Sequence, residues 1–166
     1  MGLIGGMSWE STASYYQALN QGVKGQLGGL HSAKIILHSV DFSEIEQLQH
    51  QQRWDELGDI LSEAAVNLEH SGAEFLMICT NTMHKVASKI ESRIQIPLLH
   101  IADATAEALL NNGVKRVGLL GTAFTMEQGF YKGRLTEKYH LDVVVPNQND
   151  RKIIHNIIYK ELCLGV

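Results

Sequence analysis

Residues 79–82, Cys-Thr-Asn-Thr, put a thiol, two hydroxyls and an amide in consecutive positions directly after an apolar run. A thiolate is a base and a nucleophile, while hydroxyl and amide donors suit a developing oxyanion or a carboxylate. Similar small polar groups recur wherever an apolar run ends. Gly5-Gly6-Met7-Ser8-Trp9 follows the first, His38, Ser39, Asp41 and Phe42 the second, Asp103 and Thr105 follow "IPLLHI", and Thr122 and Thr125 follow "RVGLLGT". Glycines admit a ligand to backbone N–H groups, and helix N-termini favour an anion, so a small carboxylate ligand fits this set.

Competing readings apply to each group. Ser, Thr and Asn at such junctions also cap helices, at about 1 kcal/mol each, with no ligand required. A lone cysteine at a strand end can be a small buried hydrophobe. Asp41 and Asp103 could be general bases, but an aspartate at a helix start usually caps it. Met7 and Trp9 read as packing residues. Gly2, Gly5 and Gly6 do not form GxGxxG and no GxxxxGK[ST] occurs, which disfavours a nucleotide. The eight histidines form no HExxH or cysteine-paired pattern, so no metal site is expected.

The elements that must position these groups alternate along the chain. "GLIGG", "KIILHSV", "EFLMIC", "IPLLHI", "RVGLLGT" and "LDVVVP" read as strands. Between and after them, "SWESTASYYQALNQGVKGQL", "RWDELGDILSEAAVNLEHSG", "MHKVASKIESRI", "DATAEALLNNG", "TMEQGFYKGRLTEKY" and "DRKIIHNIIYKELCLG" read as helices. Leu57, Ile60, Leu61, Ala64, Ala65 and Leu68 share one helix face, with Gly72 placed as a C-terminal cap. Continuous apolar strands imply sheets covered on both faces, and repeated β-α units imply a parallel sheet flanked by helices. In such sheets ligands bind beyond the C-terminal strand ends, where the polar groups lie.

The chain of 166 residues carries a formal charge of -4, with 45% hydrophobic and 19% charged residues. That composition describes a globular protein and gives no electrostatic reason to expect nucleic acid. Lys132, Arg134 and Lys138, and Arg151 with Lys152, read as solvated helix faces. Two distant cysteines, no positive leader and no membrane-length apolar run point to a reduced, cytoplasmic setting without membrane association.

"GLIGGMSWEST", "CTNTMH", "PLLHIADAT" and "VGLLGTAFTMEQGFYKGRL" together resemble the aspartate/glutamate racemase family, in its branch acting on acidic amino acids, and the likeness spans essentially the whole chain. The resemblance implies two pseudo-symmetric α/β domains, here 1–110 as the first and 111–166 as an apparently truncated start of the second. It implies Cα proton exchange on aspartate or glutamate with no cofactor and no metal, and a possible homodimer. Gly6, Met7, Ser8, Gln49, Asn81, Thr82 and Thr122 match positions that line the substrate, with Asn81 and Thr82 as the carboxylate pair. Gln49 is expected in the loop region after the second strand.

Two departures modify this expectation. The family motif is Cys-Asn-Thr, but here Thr80 directly precedes Asn81 and Cys79 lies one place earlier. The resemblance thus puts Thr80 at the acid/base position, and because side chains alternate along a strand, Cys79, the alternative, is then expected to turn to the core. A hydroxyl ionises far less readily than a thiol, so exchange is expected to favour one enantiomer. The second motif, Gly-Cys-Thr-Glu, is absent, and Cys163 lacks its flanking residues. The chain alone is therefore expected not to racemise. Two other readings stand beside this one: a non-catalytic module binding an acidic amino acid, and a cysteine hydrolase pairing Cys79 with His84 or His100.

Overall fold

The computed structural model describes residues 1–165 as α/β, divided into two compact units. Met1–Thr80 with Val86–Leu99 forms one, and Asn81–Lys85 with the chain from His100 onward forms the other.

In the first unit, β1 (Gly2–Gly5) lies between β2 (Ile36–Ser39) and β3 (Leu76–Ile78), all parallel. Helices α1 (Trp9–Leu27), α2 (Phe42–His50), α3 (Trp54–His70) and α4 (Ala87–Glu91) complete it. The central strand β1 is wholly buried, as its apolar run implies, whereas the edge strand β2 alternates between half-buried and exposed. Leu3, Ile4, Leu76 and Ile78 form the core with Leu57, Leu61, Ala64, Ala65 and Leu68 of α3. Ile60 departs from the expected face and is exposed. Past α3, Gly72 adopts φ 91°, a left-handed value that suits glycine.

In the second unit, β4 (Arg116–Gly118) pairs in parallel with β5 (Asp142–Val144). Ala102 and Ala106 of α5 (Ile101–Asn111) pack with Tyr131, Leu135, Leu141 and Val143. Both strands are half-exposed rather than covered on both faces.

Four expected elements differ. "IPLLHI" forms no ladder: Leu98 makes a single parallel bridge to Leu76, held by Leu76 N–H to Pro97 O and Leu99 N–H to Leu76 O, each 2.9 Å. "MHKVASKIESRI" divides into a 3-10 turn, Thr82–Val86, and the short α4. "TMEQGFYKGRLTEKY" breaks into α6 (Ala123–Glu127), α7 (Gly129–Gly133) and a π turn, Arg134–Lys138. Gln128 interrupts it in an extended conformation (ψ 152°), and Gly129 and Gly133 weaken its helical preference. The final helix α8 (Gln148–Lys160) ends before Cys163, which lies in a following 3-10 turn.

Candidate active site

The first unit gathers the glycine-rich turn and the end of β3. Gly6 has φ 92°, and a Cβ there would stand 2.2 Å from the Val40 carbonyl oxygen, so only glycine fits. Met7 is buried, Ser8 is the N-cap residue of α1 without a side-chain cap bond, and the peptide between them is cis. Trp9, expected to pack, is instead 67% exposed. Two residues that pattern reading missed hold this turn. Thr12 Oγ1 accepts the Gly6 N–H at 2.8 Å and donates to the Ser8 carbonyl at 3.3 Å. Ser11 Oγ donates to the Cys79 carbonyl at 2.8 Å. Both lie in the "WEST" that follows the turn; the partners of Thr12 are close in sequence, but the carbonyl that Ser11 holds is 68 residues away.

At the end of β3, consecutive residues have opposite environments. Cys79 is fully buried, and burial pushes its thiol up to about 12. Near neutral pH the thiol is therefore protonated. Thr80 is half-buried. Gln49 lies on α2 rather than in a loop, and it is buried. Asp41 is the N-cap of α2, its Oδ1 accepting the Ser43 N–H at 2.9 Å.

In the second unit, Thr82 and Thr122 come together. Their hydroxyls are 3.2 Å apart, and Thr122 Oγ1 is also 3.2 Å from Thr125 Oγ1. Thr122 caps α6 by accepting the Thr125 N–H, so this residue satisfies the capping reading as well. Thr82 and Thr125 are buried, while Asn81 is exposed. His155 Nδ1 accepts the Ala123 N–H at 3.2 Å, supporting the same helix start.

Histidines also cap α5. His84 Nε2 accepts the Ile101 N–H and His100 Nδ1 accepts the Ala102 N–H, both at 3.2 Å, with ring centroids 4.4 Å apart. Burial, with His84 and Arg134 nearby, lowers His100 from 6.5 to about 3, so it is neutral. Asp103, expected as cap or base, does neither. Arg134 grips it at 2.5 and 2.8 Å and Lys138 at 2.9 Å, and the Arg134 contact leads in holding its carboxyl well below the usual range. Arg134 is therefore no solvated face residue, and Arg151 likewise binds Glu127 and the Pro146 carbonyl. A hydrolase built on Cys79 loses its premise, because the thiol is sealed and both imidazoles already accept backbone N–H groups.

Comparison with known proteins agrees on one family. The model for Asp/Glu/hydantoin racemases matches residues 4–162. A candidate Asp/Glu racemase from Yersinia pestis, solved by crystallography, is 61% identical with a TM-score of 0.92, over 99% of this chain and 72% of that one. An aspartate racemase homologue from Pyrococcus horikoshii OT3 is 36% identical with a TM-score of 0.81, over 99% of this chain and 71% of that one. The broad specificity amino-acid racemase RacX of Bacillus subtilis (strain 168) is 26% identical over 151 residues, 86% of this chain but 64% of that protein.

Proposed function

The chain belongs to the Asp/Glu/hydantoin racemase family, and on that premise we propose that it carries one half of the active site of a cofactor-independent racemase for aspartate or glutamate, biased to one enantiomer and incomplete in this chain. By the family resemblance, Asn81 and Thr82 are assigned to the substrate α-carboxylate, and Gly6, Met7, Ser8, Gln49 and Thr122 are assigned as further substrate positions, each within its own unit. The Cα–H bond breaks as a base on one face takes the proton, and its electron pair passes into the carboxylate as an enediolate. Hydrogen-bond donors stabilise that charge. A proton delivered to the opposite face completes inversion.

One observation supports the assignment of roles: of the two adjacent residues that follow β3, Cys79 is fully buried and Thr80 only half-buried. Thr80 therefore serves one face of Cα. The thiol usual on the other face in relatives belongs to a Gly-Cys-Thr-Glu motif that this sequence lacks. Because a hydroxyl is the weaker acid, the two directions of exchange differ. Deuterium wash-in at Cα from L- and D-substrates is expected to run at unequal rates, and equal rates would sink the asymmetry. A homodimer is carried from the family resemblance, and a cytoplasmic setting from the two distant cysteines; among the described residues no helix is long and apolar enough to cross a membrane.

The buried Cys79 also favours a second reading, a module that binds an acidic amino acid without turnover. Calorimetric binding of L-glutamate with no deuterium exchange would select it.

A further inference from the structure

We propose that Ser11 is a positioning residue for Thr80, paired with Thr12 in a hydroxyl clamp that replaces one rung of the sheet. This rests on the racemase reading for its catalytic consequence, but its geometric basis is independent of it. In the β1–β3 register Ile4 pairs with Ile78, and Cys79 N–H donates to the Ile4 carbonyl at 2.9 Å. A parallel ladder would continue with Gly6 N–H donating to the Cys79 carbonyl. Neither group makes that bond. Gly6 N–H goes to Thr12 Oγ1 and the Cys79 carbonyl takes Ser11 Oγ–H, each at 2.8 Å.

Two consecutive side chains in the first turn of α1 thus satisfy both halves of a missing rung. The strands can part there without leaving a buried backbone group unsatisfied. The left-handed Gly6 turns β1 away, and Ser11 fixes the plane of the Cys79–Thr80 peptide. That plane sets how the Thr80 hydroxyl is presented. Ser11 itself touches no reacting atom; its effect passes through the Cys79 carbonyl. Loss of its hydroxyl leaves substrate-binding groups in place while the proton-transfer group loses alignment, and small misplacements cost far more in rate than in affinity.

The experiment compares the protein with Ser11→Ala and Ser11→Thr, measuring Cα deuterium exchange and calorimetric affinity for L-aspartate and L-glutamate. Ser11→Ala is expected to slow exchange about tenfold or more with the dissociation constant within about twofold, and Ser11→Thr to keep most of the rate. Exchange undiminished in Ser11→Ala, or a loss carried wholly by affinity, overturns the proposal. If Ser11→Ala does not fold, Ser11→Cys, a near-isostere with a weaker donor, takes its place under the same criteria. If the unaltered protein exchanges neither substrate, the chain is catalytically incomplete by itself, as its lack of a Gly-Cys-Thr-Glu motif implies, and the amide resonance of Thr80 decides for Ser11. Displacement of that resonance in Ser11→Ala with recovery in Ser11→Thr upholds positioning; an unmoved resonance overturns it.

Discussion

The polar ends of the two units are held in place by different chemistry. In the first, Ser11 and Thr12 bond to backbone groups around a glycine that tolerates no Cβ. In the second, imidazoles take that part: His84, His100 and His155 accept helix-start N–H groups, and three threonine hydroxyls are linked. The first arrangement contains no group that titrates near neutrality, so it is set by sterics. The second depends on imidazoles staying neutral, so it is set by pH as well as by packing.

The largest effect should come from breaking the steric side. Gly6→Ala adds a clash with the Val40 carbonyl to a left-handed backbone, and is expected to cost about 3 kcal/mol or more in urea unfolding. A near-neutral result would show the turn to be adaptable and would erase the contrast.

The imidazole side is probed next by acid. His100 is lowered from 6.5 to about 3, chiefly by burial, with His84, Arg134 and Lys138 adding repulsion and Asp103 opposing them. Between these values the unfolded chain binds a proton that the native chain does not, so stability rises with pH through this window. The contribution is fully present above 6.5 and lost as pH falls toward 3. Each unit should cost up to about 1.4 kcal/mol. The protection factor of the Ala102 amide, which donates to His100, should fall on acidification once the pH dependence of intrinsic exchange is divided out, and His100→Gln should flatten that dependence.

A smaller effect is expected from Thr122→Val, which removes a cap and the middle of the hydroxyl chain. It should cost about 1 kcal/mol of stability and weaken acidic amino-acid binding by about tenfold. Smallest of all is the reactivity of Cys79. Iodoacetamide near neutral pH should leave Cys79 unmodified in the folded protein while half-buried Cys163 reacts, as read by peptide mass mapping.

Much of the fold was legible where the signal is local. β1, β3 and the inward face of α3 follow from apolar runs and helical spacing, and Gly72 from its cap position. "IPLLHI" misled because an apolar segment making one bridge carries the same pattern as a strand. Asp103 misled because local statistics favour an aspartate cap, whereas its partner Arg134 lies 31 residues away and His100 takes the cap instead. The burial of Cys79 beside half-buried Thr80 matches the expectation, but not by simple alternation: β3 ends at Ile78, and Ile78 and Cys79 are both buried in succession. Ser11 was invisible for the reason that makes it interesting: the backbone carbonyl it holds is 68 residues distant.

The most direct test of the central claim sets adjacent residues against each other. Cα deuterium wash-in from L- and D-aspartate and glutamate is compared for the unaltered protein, Thr80→Ala and Cys79→Ala. Assignment of proton transfer to Thr80 predicts a loss of about 10²-fold or more in Thr80→Ala and near-normal exchange in Cys79→Ala. Retained exchange in Thr80→Ala, with loss in Cys79→Ala, would contradict it.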